Sequence, residues 1–144
     1  MNAYDNSIRY TDNFLARIIH LLKQQQVDAS MLYTSDHGED IFDDGRHLFL
    51  HASPVPSYYQ LHVPLLLWTS DSYREEYPGI EKAASMNRQK NISSSISFFQ
   101  TMMELAGIET PYRNDSLSVT SPLYTEKSRV YLNDHNEPHS LDDI

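Results

Sequence analysis

Asp36 and His37 stand side by side in YTSDHGEDIFDDGRHLFLH, residues 33–51. These nineteen residues hold three histidines and five carboxylates, a dense group of metal-capable side chains. A carboxylate beside an imidazole suits zinc or manganese, divalent ions of hard to borderline character. Gly38 lets the backbone turn directly behind the pair, where a side chain would obstruct it. Two ligands do not complete a site, since structural zinc takes four protein ligands and catalytic zinc usually three. His47, His51 and Glu39 are the nearby candidates for the remainder. On spacing alone, a solvated acidic loop accounts for the same residues equally well.

Such a cluster has to be positioned by the elements around it. From Tyr4 to Gln26 the residues Tyr4, Ile8, Thr11, Leu15, Ile18, Ile19 and Leu22 recur at helical spacing and form one stripe. MLYT, between Asp28 and SDHG, is a short apolar run of the kind that forms a buried strand. Helix, strand, then a polar loop at the strand's carboxyl end is an α/β pattern, and ligands in such sheets gather at that end. His62–Ser70 reads as a second buried strand and Ser128–Asp134 as a third. A helix is expected from Asn91 or Ser93, burying Ile96, Phe99, Met103 and Ala106 and stopping at Gly107 before Pro111. Residues 112–127 and the tail beyond Asp134 read as loop.

With 144 residues the chain suits one domain with a real core. Hydrophobic residues at 40% and charged residues at 22% place it among globular proteins and not disordered ones. A net charge of −9 argues against nucleic acid as a partner, because that binding depends on basic patches. Part of the acidity is local, in residues 39–44 and in the tail SLDDI. The absence of cysteine rules out disulfides and thiolate zinc sites. No apolar run approaches the roughly 18 residues of a membrane span. The N-terminus MNAYDNSIRY lacks the basic start and apolar middle of a signal peptide, so the chain by itself reads as soluble and without a targeting signal.

YTSDHGED, then LFLHASP, then HVPLLLWTSD resemble the C-terminal half of a sulfatase-type catalytic domain in the alkaline phosphatase superfamily. The resemblance is strongest to the phosphoethanolamine transferases that modify lipid A and other envelope glycans. AYDNSIRYTDNFLARIIHLLK resembles the helix preceding this strand in those enzymes, and SFFQTMMELAGIETP and YLNDH extend the likeness more loosely. The resemblance implies a partial alkaline-phosphatase-like α/β fold, with helices flanking a mixed or mainly parallel sheet. It implies that residues 1–144 form one domain, the C-terminal portion of such an enzyme.

Carried over by position, the resemblance makes Asp36 and His37 ligands of a catalytic zinc, with manganese or calcium as lesser alternatives and a second ion open. His51, matched through its LH-x-x-P context, would contact the phosphoryl group or a second metal, with His47 as its competitor. Glu39 matches the acid after DHG, for which loop shaping is inferred. His62, in HVP, fits the family pattern, although capping or packing at the start of a strand explains it as well. His20 reads as a helix histidine, and His135 and His139 as substrate-side or structural.

In the resembled enzymes a threonine nucleophile, another acidic zinc ligand and the membrane helices all lie upstream of DHG, and this chain begins after them. Neither Thr11 nor Thr34 has the nucleophile's context. The expectation is therefore an enzyme portion without a catalytic nucleophile, inactive alone. The full protein would sit in the inner membrane with this domain on the periplasmic side. It would take a phospholipid donor and an envelope glycan acceptor. An exposed apolar face should mark where the missing N-terminal half, or a homodimer partner, belongs. A sulfatase or phosphoglycerol transferase of the same superfamily is the alternative enzyme, and a non-catalytic binding domain the alternative of another class.

Overall fold

A computed structural model describes residues 2–51 and 53–141. Ala52 of the LFLHASP motif and the last residues of the acidic tail, 142–144, lie outside the described residues. Helix α1 (Asn2–Gln25) carries the expected stripe. Leu15 is buried on it, Tyr4, Thr11, Ile18, Ile19 and Leu22 are half-buried, and only Ile8 departs, at 54% exposed.

Strand β1 (Ser30–Thr34) follows and pairs with β4 (Leu65–Thr69), in a register that sets Leu32 against Leu67. The pairing is antiparallel, as are the other two strand pairs among the described residues, β2 (Asp40–Ile41) with β3 (Phe49–Leu50) and β5 (Val130–Leu132) with β6 (Pro138–Ser140). The α/β class is as expected, but the mixed or mainly parallel sheet is not what these strands form with each other. Parallel neighbours need a crossover, usually a helix, that carries the chain back to the same end of the sheet. Among the described residues, the connector from β1 to β4 contains only the two-residue strands β2 and β3 and one helical turn, α2 (Tyr58–Leu61).

The two central strands are less buried than expected. Every residue of β1 is half-buried and Leu66 of β4 is 47% exposed. Within the described chain each of these strands has one unpaired edge, which leaves its apolar face incompletely covered.

Two helices that the apolar pattern does not announce follow β4. Ser70 caps α3 (Asp71–Glu76) by accepting the Tyr73 amide at 3.2 Å, and Pro78 opens α4 (Pro78–Asn87), where its missing N–H costs nothing. Helix α5 (Ser94–Leu105) begins where expected and ends at Gly107, whose φ of +63° suits the left-handed stop. Its buried face differs from the expected one. Ser97, Thr101 and Leu105 point inward, whereas Phe99 is 53% exposed and Ala106 is exposed. The reason is that α5 packs partly against a polar loop, not only against apolar side chains. That loop includes a short 3-10 turn (Asp115–Leu117). The core gathers Tyr73, Ala83, Leu105, Val119 and Tyr124 where α3, α4, α5 and this loop meet. The tail beyond Asp134, expected as loop, instead turns back as β6.

Candidate metal centre

The chain leaves β1 through a tight turn that closes on itself. Ser35 Oγ donates to the His37 carbonyl at 2.8 Å, and the Asp36 carboxylate accepts the His37 amide at 3.1 Å. Backbone N–H groups of Asp36 and His37, and then the His37 ring, hold the Asp36 carboxyl below the usual carboxylate range. The ring of His37 is oriented by its own neighbour, with Nδ1 2.9 Å from the Gly38 carbonyl. A carbonyl can only accept, so Nδ1 is the donor in this bond and Nε2 is left outside it. That Nε2 lies 3.8 Å from Asp36 Oδ2, close enough for both atoms to reach one ion.

Glu39 and His51 complete the cluster. His51 Nδ1 lies 2.9 Å from Glu39 Oε1, so this imidazole too is fixed with Nε2 free. The rings of His37 and His51 stand 3.9 Å apart, tilted by 38°. Ligand atoms of His37, Glu39 and His51 all lie within 4.8 Å of one another. The second oxygen of Glu39 is buried and has no hydrogen-bond partner among the described residues, an arrangement that favours a ligand. Sequence reasoning named Glu39 among the candidate ligands, and the resemblance gave it only loop shaping; here it is the residue that links the two histidines. Asp36, the adjacent ligand candidate, keeps a side chain that is 87% exposed.

Helix α2 holds the loop in place. The Gly38 amide donates to the Gln60 carbonyl at 2.8 Å, and a Cβ on Gly38 would lie 2.0 Å from the Tyr59 carbonyl oxygen. Only glycine allows this approach. Asp40, next along the chain from Glu39, is 1% exposed, and its carboxylate accepts the Ser57 hydroxyl at 2.5 Å and the Gln60 side-chain amide. Neither Asp40 nor its partners carries a motif, and only the contrast between a charged residue and a buried strand position could have marked it. Leu50, immediately before His51, has φ +65°, a conformation that costs a branched residue free energy and is retained beside the cluster.

The remaining candidates lie apart from this cluster. His47 sits in the hairpin turn with φ +55°, beside Asp44, and takes no place among the grouped ligands. His62 caps α2 through its backbone amide and stacks on Tyr58 at 4.8 Å, consistent with the capping alternative. His20 contacts Gln24 on α1. His139 stacks on Tyr131 and contacts Asn133, which joins the two strands of the β5–β6 hairpin and forms no metal group among the described residues.

Comparison with known proteins identifies a family and a fold. The family model described as Sulfatase matches residues 1–108. The phosphoethanolamine transferase EptA of Salmonella typhimurium is 33% identical over 127 residues, which are 85% of this chain and 23% of that protein. The Kdo(2)-lipid A phosphoethanolamine 7''-transferase of Escherichia coli is 28% identical over 77% of this chain and 20% of its own length. The chain thus spans about a quarter or less of the curated relatives it matches. Among solved structures, the C-terminal periplasmic domain of EptC from Escherichia coli, in complex with Zn, superposes with a TM-score of 0.84 at 27% identity, covering 96% of this chain and 39% of that one.

Proposed function

Because the chain belongs to the sulfatase family, we propose that it is the C-terminal portion, as one domain, of a metal-dependent phosphoethanolamine transferase acting on lipid A or another envelope glycan. Relatives named for that activity support the reading. The single observation that carries it is the grouping of His37, Glu39 and His51, whose ligand atoms lie within 4.8 Å of one another, with the second oxygen of Glu39 buried and unpartnered among the described residues. Imidazoles oriented by an acceptor on the far nitrogen are the usual form of metal-ligating histidine.

The donor set fits a divalent cation, zinc by its mixture of imidazole and carboxylate. Asp36 and His37 would hold it, with Glu39 and His51 facing the phosphoryl group or a second ion. When bound, the cation supplies Lewis-acid polarisation of a phosphoryl oxygen. The chain's own residues orient the two rings, keep the Asp36 carboxyl ionised and present the cluster at the carboxyl end of β1. The threonine nucleophile would come from the part of the protein that precedes this domain, and the phospholipid donor and glycan acceptor would meet there. A periplasmic location, on an inner-membrane protein, follows from the same reading; among the described residues no helix is long and apolar enough to cross a membrane.

A groove of about 760 Å³ between β4 and α4, floored by Leu32, Leu65, Leu67, Ile92 and Val119, is the face that the remaining domain would cover. A second copy of the chain is the other occupant, and sedimentation of the purified chain separates monomer from dimer.

Calorimetry of zinc binding tests the metal reading. Micromolar or tighter binding, lost in both Asp36→Ala and His37→Ala, is expected. Absence of binding by the folded chain would favour a non-catalytic domain. Zinc-loaded chain mixed with phosphatidylethanolamine and lipid A should yield no modified lipid A by mass spectrometry; product would show that the domain is sufficient alone.

A further inference from the structure

We infer that Asp40 is a positioning residue for this centre, tying both of its arms to Gln60 and Ser57 on one turn of helix. The inference rests on the metal-centre reading, and its test is arranged so that the two can fail separately.

Asp40 is a carboxylate at 1% exposure whose oxygens are met only by neutral donors, the Ser57 hydroxyl and the Gln60 amide. It makes no ion pair among the described residues. Burying a carboxylate this way is costly, and an apolar contact would join the loop to α2 with less penalty. What the carboxylate adds is direction, because its two acceptor atoms fix two donors at once.

Gln60 is gripped twice. Its side chain donates to Asp40, and its carbonyl accepts the Gly38 amide. Gly38 and Asp40 flank Glu39, so the residues on both sides of Glu39 are tied to Gln60, one through its backbone amide and the other through its carboxylate. Ser57 closes the arrangement, since the hydroxyl that donates to Asp40 also accepts the Gln60 amide at 3.1 Å and caps α2. On the other arm, Asp40 pairs with Leu50 in the β2–β3 ladder, one residue before His51. One side chain and its own backbone therefore set His37 and Glu39 against His51. Without the side-chain clamp, the β2–β3 ladder and the Glu39–His51 hydrogen bond would still join the two arms, but only the Gly38 amide would tie them to Gln60.

The test is amide exchange and proton NMR on the metal-free 144-residue chain, comparing wild type with Asp40→Ala and Asp40→Asn. Asn keeps the side-chain volume and one acceptor, and it decides the question should the alanine variant not fold. Loss of a buried hydrogen bond to a charged group predicts that the Gly38 amide exchanges roughly tenfold faster in Asp40→Ala, and less so in Asp40→Asn. The nuclear Overhauser contact between the His37 and His51 rings should weaken with it. Amides joining β1 to β4, and those of α5, should keep their protection. A purely structural role would instead accelerate all of these amides together, and that result would overturn the inference. So would an unchanged Gly38 amide and ring contact in both variants. Zinc affinity measured in parallel should fall roughly tenfold or more in Asp40→Ala, as for other residues that orient metal ligands. If wild type binds no zinc, the metal reading fails while the exchange data still decide the role of Asp40.

Discussion

The loop of residues 113–124 and the loop of residues 35–51 both depend on polar side chains with little access to water, but they use them differently. In the first, the buried groups are matched. Asn87 donates to the carbonyls of Val119 and Ser121 at 3.0 and 2.8 Å, Thr101 Oγ1 accepts the Val119 amide at 3.1 Å, and Glu104 takes the hydroxyls of Ser118 and Thr120. In the second, Glu39 Oε2 has no partner and the Nε2 atoms of His37 and His51 carry no hydrogen bond among the described residues. Buried polar groups are normally satisfied, and the unpartnered Glu39 oxygen is the exception that the proposed metal reading would account for. The clamp through Asp40 is matched as in the first loop, yet it serves the second.

Changing Asn87 should have the largest effect on stability. Asn87→Leu strands two buried carbonyls and should cost about 2–4 kcal/mol in denaturant unfolding, while zinc affinity extrapolated to the folded state stays at the wild-type value. Gly38→Ala should reach the centre as well. Its Cβ meets the Tyr59 carbonyl, so zinc affinity should fall at least tenfold, with a stability cost of about 1–3 kcal/mol for local overpacking. If Asn87→Leu weakened zinc binding as much as Gly38→Ala, the division between the two loops would be wrong.

A smaller effect belongs to Tyr73, whose hydroxyl donates to the Leu105 carbonyl at 2.8 Å. Tyr73→Phe should lose about 0.5–1.5 kcal/mol and leave metal binding intact. Burial also pushes the Tyr73 and Tyr124 hydroxyls above their ordinary pKa. Their folded values therefore exceed the unfolded ones, so the stability they contribute is complete below about pH 10 and is lost as pH rises through the folded values. Ultraviolet titration should show these two ionising after the exposed tyrosines. Asp36 behaves oppositely. Its carboxyl is depressed, so what it contributes is present above the ordinary carboxylate pKa and lost as pH falls through the lowered value. A carbon-13 titration with an ordinary or raised midpoint for Asp36 would contradict the hydrogen-bonded turn.

Much of this was legible from residue types in order. The stripe of α1, the runs MLYT and LLLW, the stop at Gly107 and the DHG turn after a strand are local signals, each written within a few residues and set by backbone geometry that local sequence controls. The family resemblance extended that reading to Asp36 and His37 as proposed metal ligands, because the two are neighbours in the chain. What stayed hidden was decided by contacts between distant residues. Glu39 meets His51, Asp40 meets Ser57 and Gln60, and Asn87 meets the loop at Val119 and Ser121. The sense of the β1–β4 pairing and the polar inner face of α5 belong with these. No periodicity or cap encodes which donor will find which acceptor once the chain has closed. Sequence alone therefore determined α1, α5, the strands β1, β4 and β5, and the presence of metal-capable groups after β1. Only the tertiary structure decided which of those groups face one another and which residue holds them there, because hydrogen bonds between segments exist only when packing has brought both partners out of water.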